Sequence, residues 1–393
     1  MVLQDCFSLR ARIGWQGLRA DEFLDYGPYL VTGTDFVNGK VNWDTCYHVA
    51  EERFKQDTGI QLHEHDLLVT KDGTIGKIAI VQNCPEKATL NSGVFVVRAI
   101  NKSVVPSYLY YVLSSRDFEL FLANTLTGST IKHLNQEHFY KFKFEAPEDT
   151  KEQAKIAEVL ATIDEAIDTT RHLIEKYRNT KSGLMKDLLA SGEIVSLGDV
   201  ADGFEYGMNA AATFYDETNK YIRITDIDDK NYTYKADDIV SPSGLLDAKY
   251  LLSDGDIVIA RTGASTGKSY LYNPDDGKMY YAGFLIRLRV KTTHDPRYIA
   301  YQLQTNAYWK WVSVMSLRSG QPGINAQEYK SYKFPCLTDI HEQTDIADKL
   351  ESIDSLIEKE EKYLSKLMHM KDGLMQDLLT QKVSVEPIMS ARG

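Results

Sequence analysis

Residues 261–270 read Arg-Thr-Gly-Ala-Ser-Thr-Gly-Lys-Ser-Tyr and follow the apolar run 256–260. Two glycines, a lysine and a serine in that order suggest a loop wrapped around a nucleotide phosphate. A phosphate-binding P-loop needs four residues between its glycines, and it opens a helix whose N-terminal N–H groups hold the anion. Here three residues separate Gly263 from Gly267, and the β-like Ser-Tyr-Leu-Tyr-Asn that follows runs into Pro274. The stretch is therefore expected to be a hairpin loop between two strands. Its glycines let the backbone approach a partner closely, and Arg261 and Lys268 either meet phosphates or lie solvated.

Other residue sets offer less chemistry. Cys46-x-His48 and His63-x-His65 have metal-ligand spacing, but the second half of the chain has no counterpart, so structural roles are expected. The 274–278 segment, Pro-Asp-Asp-Gly-Lys, echoes a nuclease carboxylate–lysine set without its partner acid. Neither Phe-x-Gly-x-Gly nor Asn-Pro-Pro-Tyr occurs, so a built-in methyltransferase is not indicated. No nucleophilic triad or paired-carboxylate site can be nominated. Catalytic residues, bound metal and bound cofactor are all expected to be absent. Four scattered cysteines without a CxxC pair argue against both a disulfide framework and a thiolate zinc site.

The elements that carry these loops are written twice. Residues 152–189 align without a gap to 342–379, with 16 of 38 positions identical at an offset of 190. The offset persists upstream: Asp66 lies over Asp256, Gly93 over Gly283, and Leu134-Asn135 over Ile324-Asn325. The twin of the opening loop reads Lys-Asp-Gly-Thr-Ile-Gly-Lys at 71–77, which nobody would take for a P-loop.

Both repeated segments are predicted to be long helices. Apolar residues recur at Ile156, Leu160, Ile163, Ile167 and Ile174, and again at Ile346, Leu350, Ile353, Ile357 and Leu364. This alternating spacing of four and three is a heptad seam, which requires another helix against it. At ~1.5 Å per residue each helix would run roughly 57 Å. The economical arrangement is for the two seams to pair, antiparallel if the repeats are related by a twofold axis. Thr150-x-x-Gln153 has capping-box form. Gly183 and Gly373 recur within the pattern, at a close helix crossing, a kink or a helix end.

Upstream of each helix the pattern is mainly β. Short runs such as 76–81, 94–97, 221–224, 257–260 and 284–286 are bounded by Gly, Asp, Asn and Pro. One helix per repeat is expected near 107–122 and 296–312, its aromatics, including Trp309 and Trp311, belonging to the core. The fold class is thus α+β: two β-rich domains in tandem duplication, separated by two long helices in an antiparallel coiled coil with pseudo-twofold symmetry. The boundaries are drawn at 1–150, 151–190, 191–340 and 341–383, with a tail at 384–393. A net charge of −11 argues against a generally basic, nonspecific nucleic-acid binder. It is compatible with DNA reading through a few loops. No run of 18 apolar residues and no signal-peptide layout is present, so no membrane partner and a cytoplasmic location are expected.

Two β-rich units, each ending in Glu-Gln-x-x-Ile-Ala and then Lys-x-Gly-Leu-Met-x-Asp-Leu-Leu, resemble the specificity (S) subunit of type I restriction–modification systems. The resemblance covers nearly the whole chain. It implies that each globular unit is a target recognition domain reading half of an asymmetric, two-part site in double-stranded DNA. The paired helices act as a ruler and dock two methyltransferase (M) subunits, and restriction (R) subunits join the complex. S-adenosylmethionine, Mg and ATP are then expected on the partners only. The same resemblance puts DNA-facing residues in loops. The candidates are Lys71, Gly73, Thr74 and Lys77, then Gly128, Ser129 and Lys132 in the first repeat. In the second they are Arg223, Thr225, Arg261, Thr262, Gly263 and Lys268, then Arg318, Ser319 and Gln321.

Three alternatives stay open on sequence grounds: a duplicated helical scaffold that binds protein, an NTPase built on 262–269, and the recognition part of another restriction–methylation enzyme. The first test concerns the opening loop. Substituting Arg261 or Lys268 is expected to weaken DNA binding in a gel shift, whereas the unaltered chain shows no ATP binding by calorimetry. Measurable ATP affinity would restore the P-loop reading.

Overall fold

The computed structural model describes residues 1–13, 17–126, 133–317 and 322–385. Two compact units emerge: Met1–Arg171 with Lys362–Gly393, and His172–Glu361. Each therefore contains one β-rich domain, a stretch of one long helix and a stretch of the other. The helices span Thr150–Leu188 and Ile340–Leu379.

In the first unit a six-stranded sheet runs in the order Phe7–Arg10, Val94–Ala99, Leu67–Thr70, Ile78–Ile80, Lys40–Val41, Phe36–Val37. A three-stranded sheet, Tyr47–His48, Leu24–Val31, Ala88–Leu90, completes the domain. The strand Leu67–Thr70 is apolar throughout its first three residues because both its faces are buried. Leu67 and Val69 join a core with the helices Pro106–Leu113 and Arg116–Leu126, while Leu68 faces a second core with Val31, Val94 and Val96. Period-two alternation divides one strand between two cores.

The second unit repeats the plan. Its four-stranded sheet is ordered Ala201–Tyr206, Leu285–Val290, Asp256–Ala260, Ser269–Leu271. Ile257 and Ile259 share a core with Tyr298, Ile299 and Tyr308, and Val258 and Ala260 share another with Tyr270 and Leu285. Asp256–Ala260 pairs antiparallel with Ser269–Leu271, so the stretch quoted at the outset is a hairpin and no helix follows Lys268. Buried Asp256 opens that strand: Arg289 Nε donates to its Oδ1 at 3.0 Å and Ser253 N–H to its Oδ2 at 2.9 Å. In the first unit Asp66 does the same with Arg98 (2.8 Å) and His63 N–H (2.9 Å).

Each helix foreseen near 107–122 and 296–312 is two helices. Pro106–Leu113 and Arg116–Leu126 are separated at Ser114-Ser115, whose hydroxyls bond back to Tyr110 and Val112 carbonyls. Pro296–Gln302 and Asn306–Met315 are separated at Thr305, which caps the second by accepting from Tyr308 N–H at 3.2 Å. Thr150-x-x-Gln153 makes no capping box. Asp149 instead accepts from Lys151 N–H at 2.8 Å, and fully buried Gln153 turns away. Its amide accepts from Val105 N–H (2.9 Å) and donates to Ser103 O (2.9 Å) and Pro147 O (2.8 Å). Gln343 does likewise with Asp295 N–H and Leu337 O at 2.8 and 2.7 Å. Each glutamine thus welds the start of a long helix to its β-rich domain. Gly183 and Gly373 lie inside unbroken helix and a Cβ there would meet open space, so neither marks a close crossing.

The seam residues are inward but divide their roles. Ile156 and Leu160 belong to the first unit's main core together with Met375 and Leu378, and Ile346 and Leu350 to the second unit's with Met185 and Leu189. Ile167, Ile174 and Ile357 are buried, while Ile163, Ile353 and Leu364 are half-buried. Polar contacts accompany them. In the first unit Tyr111 OH donates to Asp164 Oδ2 at 2.9 Å, and Lys371 Nζ meets Asp164 Oδ1 at 2.6 Å. In the second unit Tyr301 OH donates to Asp354 Oδ2 at 2.8 Å and Lys181 Nζ meets Asp354 Oδ1 at 2.7 Å. Both lysines also lie over the tyrosine rings, 5.9 and 5.1 Å from the centroids. Removing one lysine, Lys371→Met, is expected to cost about 1.5–3 kcal/mol in urea unfolding, the range for a hydrogen bond to a charged group. An unchanged unfolding free energy would show that the aspartate and tyrosine hold the contact alone.

Candidate nucleic-acid interface

The two hairpin loops stand on one backbone frame. In the first, Lys71 N–H donates to Gly93 O (2.9 Å), Leu134 N–H to Lys71 O (3.0 Å), and Gly76 N–H to Thr70 O (2.9 Å). In the second, Arg261 N–H donates to Phe284 O (3.0 Å), Ile324 N–H to Arg261 O (2.9 Å), and Gly267 N–H to Ala260 O (2.9 Å). The glycines keep their conformations too: φ is +67° at Gly73 and +82° at Gly76, against +73° at Gly263 and +94° at Gly267. The second glycine of each loop packs on a helix. A Cβ on Gly76 would run into Leu122, and one on Gly267 would lie 2.7 Å from Val312 Cγ1.

On this frame the candidate side chains differ in availability. Lys71 Nζ lies 5.4 Å from the Phe95 ring centroid, and exposed Lys77 reaches Gly33 O at 3.4 Å. Thr74 and Thr225 are exposed. Thr262 is half-buried, its backbone bridged to Gly323. Lys268 is ion-paired with Asp229. Arg223 is engaged within its own domain: its guanidinium holds Asp226 at 2.9 Å and Asp238 at 3.0 Å, and the Asp226 hydrogen bond raises its already high pKa further. Gly128, Ser129, Lys132, Arg318, Ser319 and Gln321 lie outside the described residues.

A cleft of about 570 Å³ in the second domain gathers Arg223, Thr225 and Arg261 with residues that sequence reasoning passed over. Chief among these are Tyr206 and Phe284, both exposed, and the buried Met208 and Tyr221. The Tyr206-Gly207 and Gly283-Phe284 pairs were the available signal, an aromatic beside a residue that lets backbones approach.

The remaining motifs are absorbed by the fold. Burial and neighbouring Asp35 push the Cys46 thiol up to about 12, and His48 Nδ1 contacts Gly27 O at 2.7 Å. His63 Nδ1 lies 3.1 Å from Arg98 Nη2. Asp276, from the nuclease-like segment, accepts from Tyr270 OH at 2.6 Å. The glycine pair in the first loop supplies a direct check of its packing. Gly76→Ala is expected to cost well over the ~1 kcal/mol typical of a strained left-handed residue, because its Cβ also meets Leu122. Gly73→Ala, with open space around its Cβ, carries the backbone term alone; equal losses in unfolding free energy would contradict the helix contact.

The family described as type I restriction modification DNA specificity domain matches the chain twice, over residues 16–177 and 192–368. The type I restriction enzyme MjaVIII specificity subunit of Methanocaldococcus jannaschii is 26% identical over 427 residues, covering 98% of this chain and 96% of that one. The putative MjaX specificity subunit of the same organism is 26% identical over 184 residues, 45% of this chain and 42% of that protein. In fold the chain is similar to the type I restriction-modification S subunit from M. genitalium, with a TM-score of 0.62 at 15% identity over 96% and 95% of the two chains. A chain from a structure of the type I R-M system gives a TM-score of 0.52 at 15% identity, covering 96% and 99%. Two family matches, one per β-rich repeat and together spanning most of the sequence, show that the chain belongs to the type I restriction–modification DNA specificity family.

Proposed function

We propose that this chain is the non-catalytic, DNA-reading subunit of a type I restriction–modification complex, each β-rich domain reading one half of an asymmetric two-part site. The observation that carries this reading is the pair of hairpin loops, alike in backbone hydrogen bonds and glycine conformation but different in exposed chemistry. Lys71 and Gly93 occupy one copy where Arg261 and Phe284 occupy the other, so the backbone frame sets Gly93 over Phe284, one residue on from the Gly283 that the 190-residue offset assigned to it. One backbone frame carrying two side-chain sets suits two unlike half-sites, since base edges are discriminated by the donors and acceptors presented to them.

The long helices pair antiparallel as a coiled coil about a pseudo-twofold axis and set the distance between half-sites. Support comes from the lysine–aspartate contacts. Asp164 with Lys371 and Asp354 with Lys181 exchange members by the same 190-residue offset, the relation a twofold axis between repeats produces. Helices of 39 and 40 residues reach roughly 60 Å, ample to separate sites one DNA turn (~34 Å) apart. Their outer faces dock two M subunits, which bring S-adenosylmethionine and methylate adenine; R subunits then bring ATP-dependent translocation and cleavage.

A charge of −11 leaves little net attraction for DNA phosphate, so binding by the chain alone should be weak and salt-sensitive until M subunits join. Mapping methylated adenines genome-wide, with and without this gene, tests the proposal. Loss of one two-part motif is expected, and an unchanged methylome in a host with active M subunits would refute it.

A further inference from the structure

Among the described basic candidates of the second domain, Arg223, Arg261 and Lys268, Arg261 differs in what surrounds it. Lys268 is paired with Asp229, and Arg223 with Asp226 and Asp238; among the described residues no carboxylate pairs with Arg261. Its guanidinium carbon lies 4.9 Å from the centroid of the Tyr206 ring. That platform is itself fixed, because Tyr206 OH accepts from Ala326 N–H at 3.2 Å. The arginine backbone is held on both sides, by Phe284 O at 3.0 Å and Ile324 N–H at 2.9 Å. Both rings stand at the rim of the cleft, Tyr206 at 45% and Phe284 at 59% exposure, over a floor of buried Met208, Tyr221 and Ala282. Tyr221 OH holds the floor in place by donating to Met208 O at 2.7 Å.

A guanidinium packed over an aromatic ring has fewer conformations open to it, so less freedom is lost when its planar N–H fork engages a partner. Two parallel donors match the O6 and N7 acceptors that guanine alone presents together in the major groove. A nonspecific phosphate contact needs charge but not a fixed plane. We propose that Arg261, oriented by Tyr206, reads a guanine in the half-site of the second domain. The proposal rests on the DNA-reading function proposed above. It concerns one half-site only: the first domain has Lys71 at the equivalent point, set over Phe95, and Gly93 in place of Phe284.

The test uses the full chain with its cognate M subunits in a host free of other adenine methylation, reading the methylated motif for wild type, Arg261→Gln, Tyr206→Ala and Tyr206→Phe. In the wild type one half-site should contain a guanine whose discrimination falls roughly 10- to 100-fold in Arg261→Gln and in Tyr206→Ala. The other half-site and the spacer should be unchanged, which also shows that the complex still assembles. Tyr206→Phe keeps the ring but loses the hydroxyl that accepts from Ala326 N–H, so its discrimination should fall between wild type and Tyr206→Ala. A uniform loss of methylation at all sites would make Arg261 a phosphate contact and overturn the proposal, as would an unaltered motif. Absence of any two-part motif in the wild type would instead remove the DNA-reading function itself.

Discussion

Asp164 and Asp354 are the pivots of the two units. Each carboxylate accepts from a tyrosine hydroxyl of its own repeat's short helix and from a lysine on the long helix of the other repeat. Burial and the adjacent carboxylate raise the pKa of both phenols, so Tyr111 and Tyr301 remain neutral donors. An exposed ion pair is worth little because water competes for both partners. Here Lys181 is only 12% exposed, and its cation lies over a tyrosine ring as well as against the aspartate. Charge, hydrogen bond and ring face converge on one lysine position.

The β-rich domains are joined to that helical framework by a second polar device. Gln153 and Gln343, both fully buried, satisfy backbone groups at the foot of each domain that would otherwise be stranded. Unpaired buried backbone groups are costly, so amides of this kind hold geometry as well as stability. The strand-opening aspartates serve the same purpose beneath the hairpin loops, tying Asp66 to Arg98 and Asp256 to Arg289. The two hairpin loops thus rise from strands whose opening aspartates are paired.

Much of this was legible from the residues. The 190-residue repeat, the heptad spacing, the strand at 256–260 and the hairpin nature of the Gly-rich stretch all follow from local pattern, because burial leaves a period in the sequence. Helix breaks at Ser114-Ser115 and Thr305 were less legible, since an apolar face continues across them. Gln153 illustrates the limit more sharply: its capping-box spacing is genuine, yet its amide serves Val105, 48 residues upstream.

Sequence alone therefore determined the duplication, the element types and the candidate loops, since these depend on residue order at short range. Tertiary structure decided which candidate side chains remain available. Arg223, Lys268 and Arg261 look alike as basic residues in loops, but Arg223 meets Asp238 as well as the nearby Asp226, Lys268 meets Asp229 from another segment, and Arg261 meets an aromatic ring. Electrostatic pairing acts through space over a few ångströms, and only the folded chain fixes which charges come within that distance.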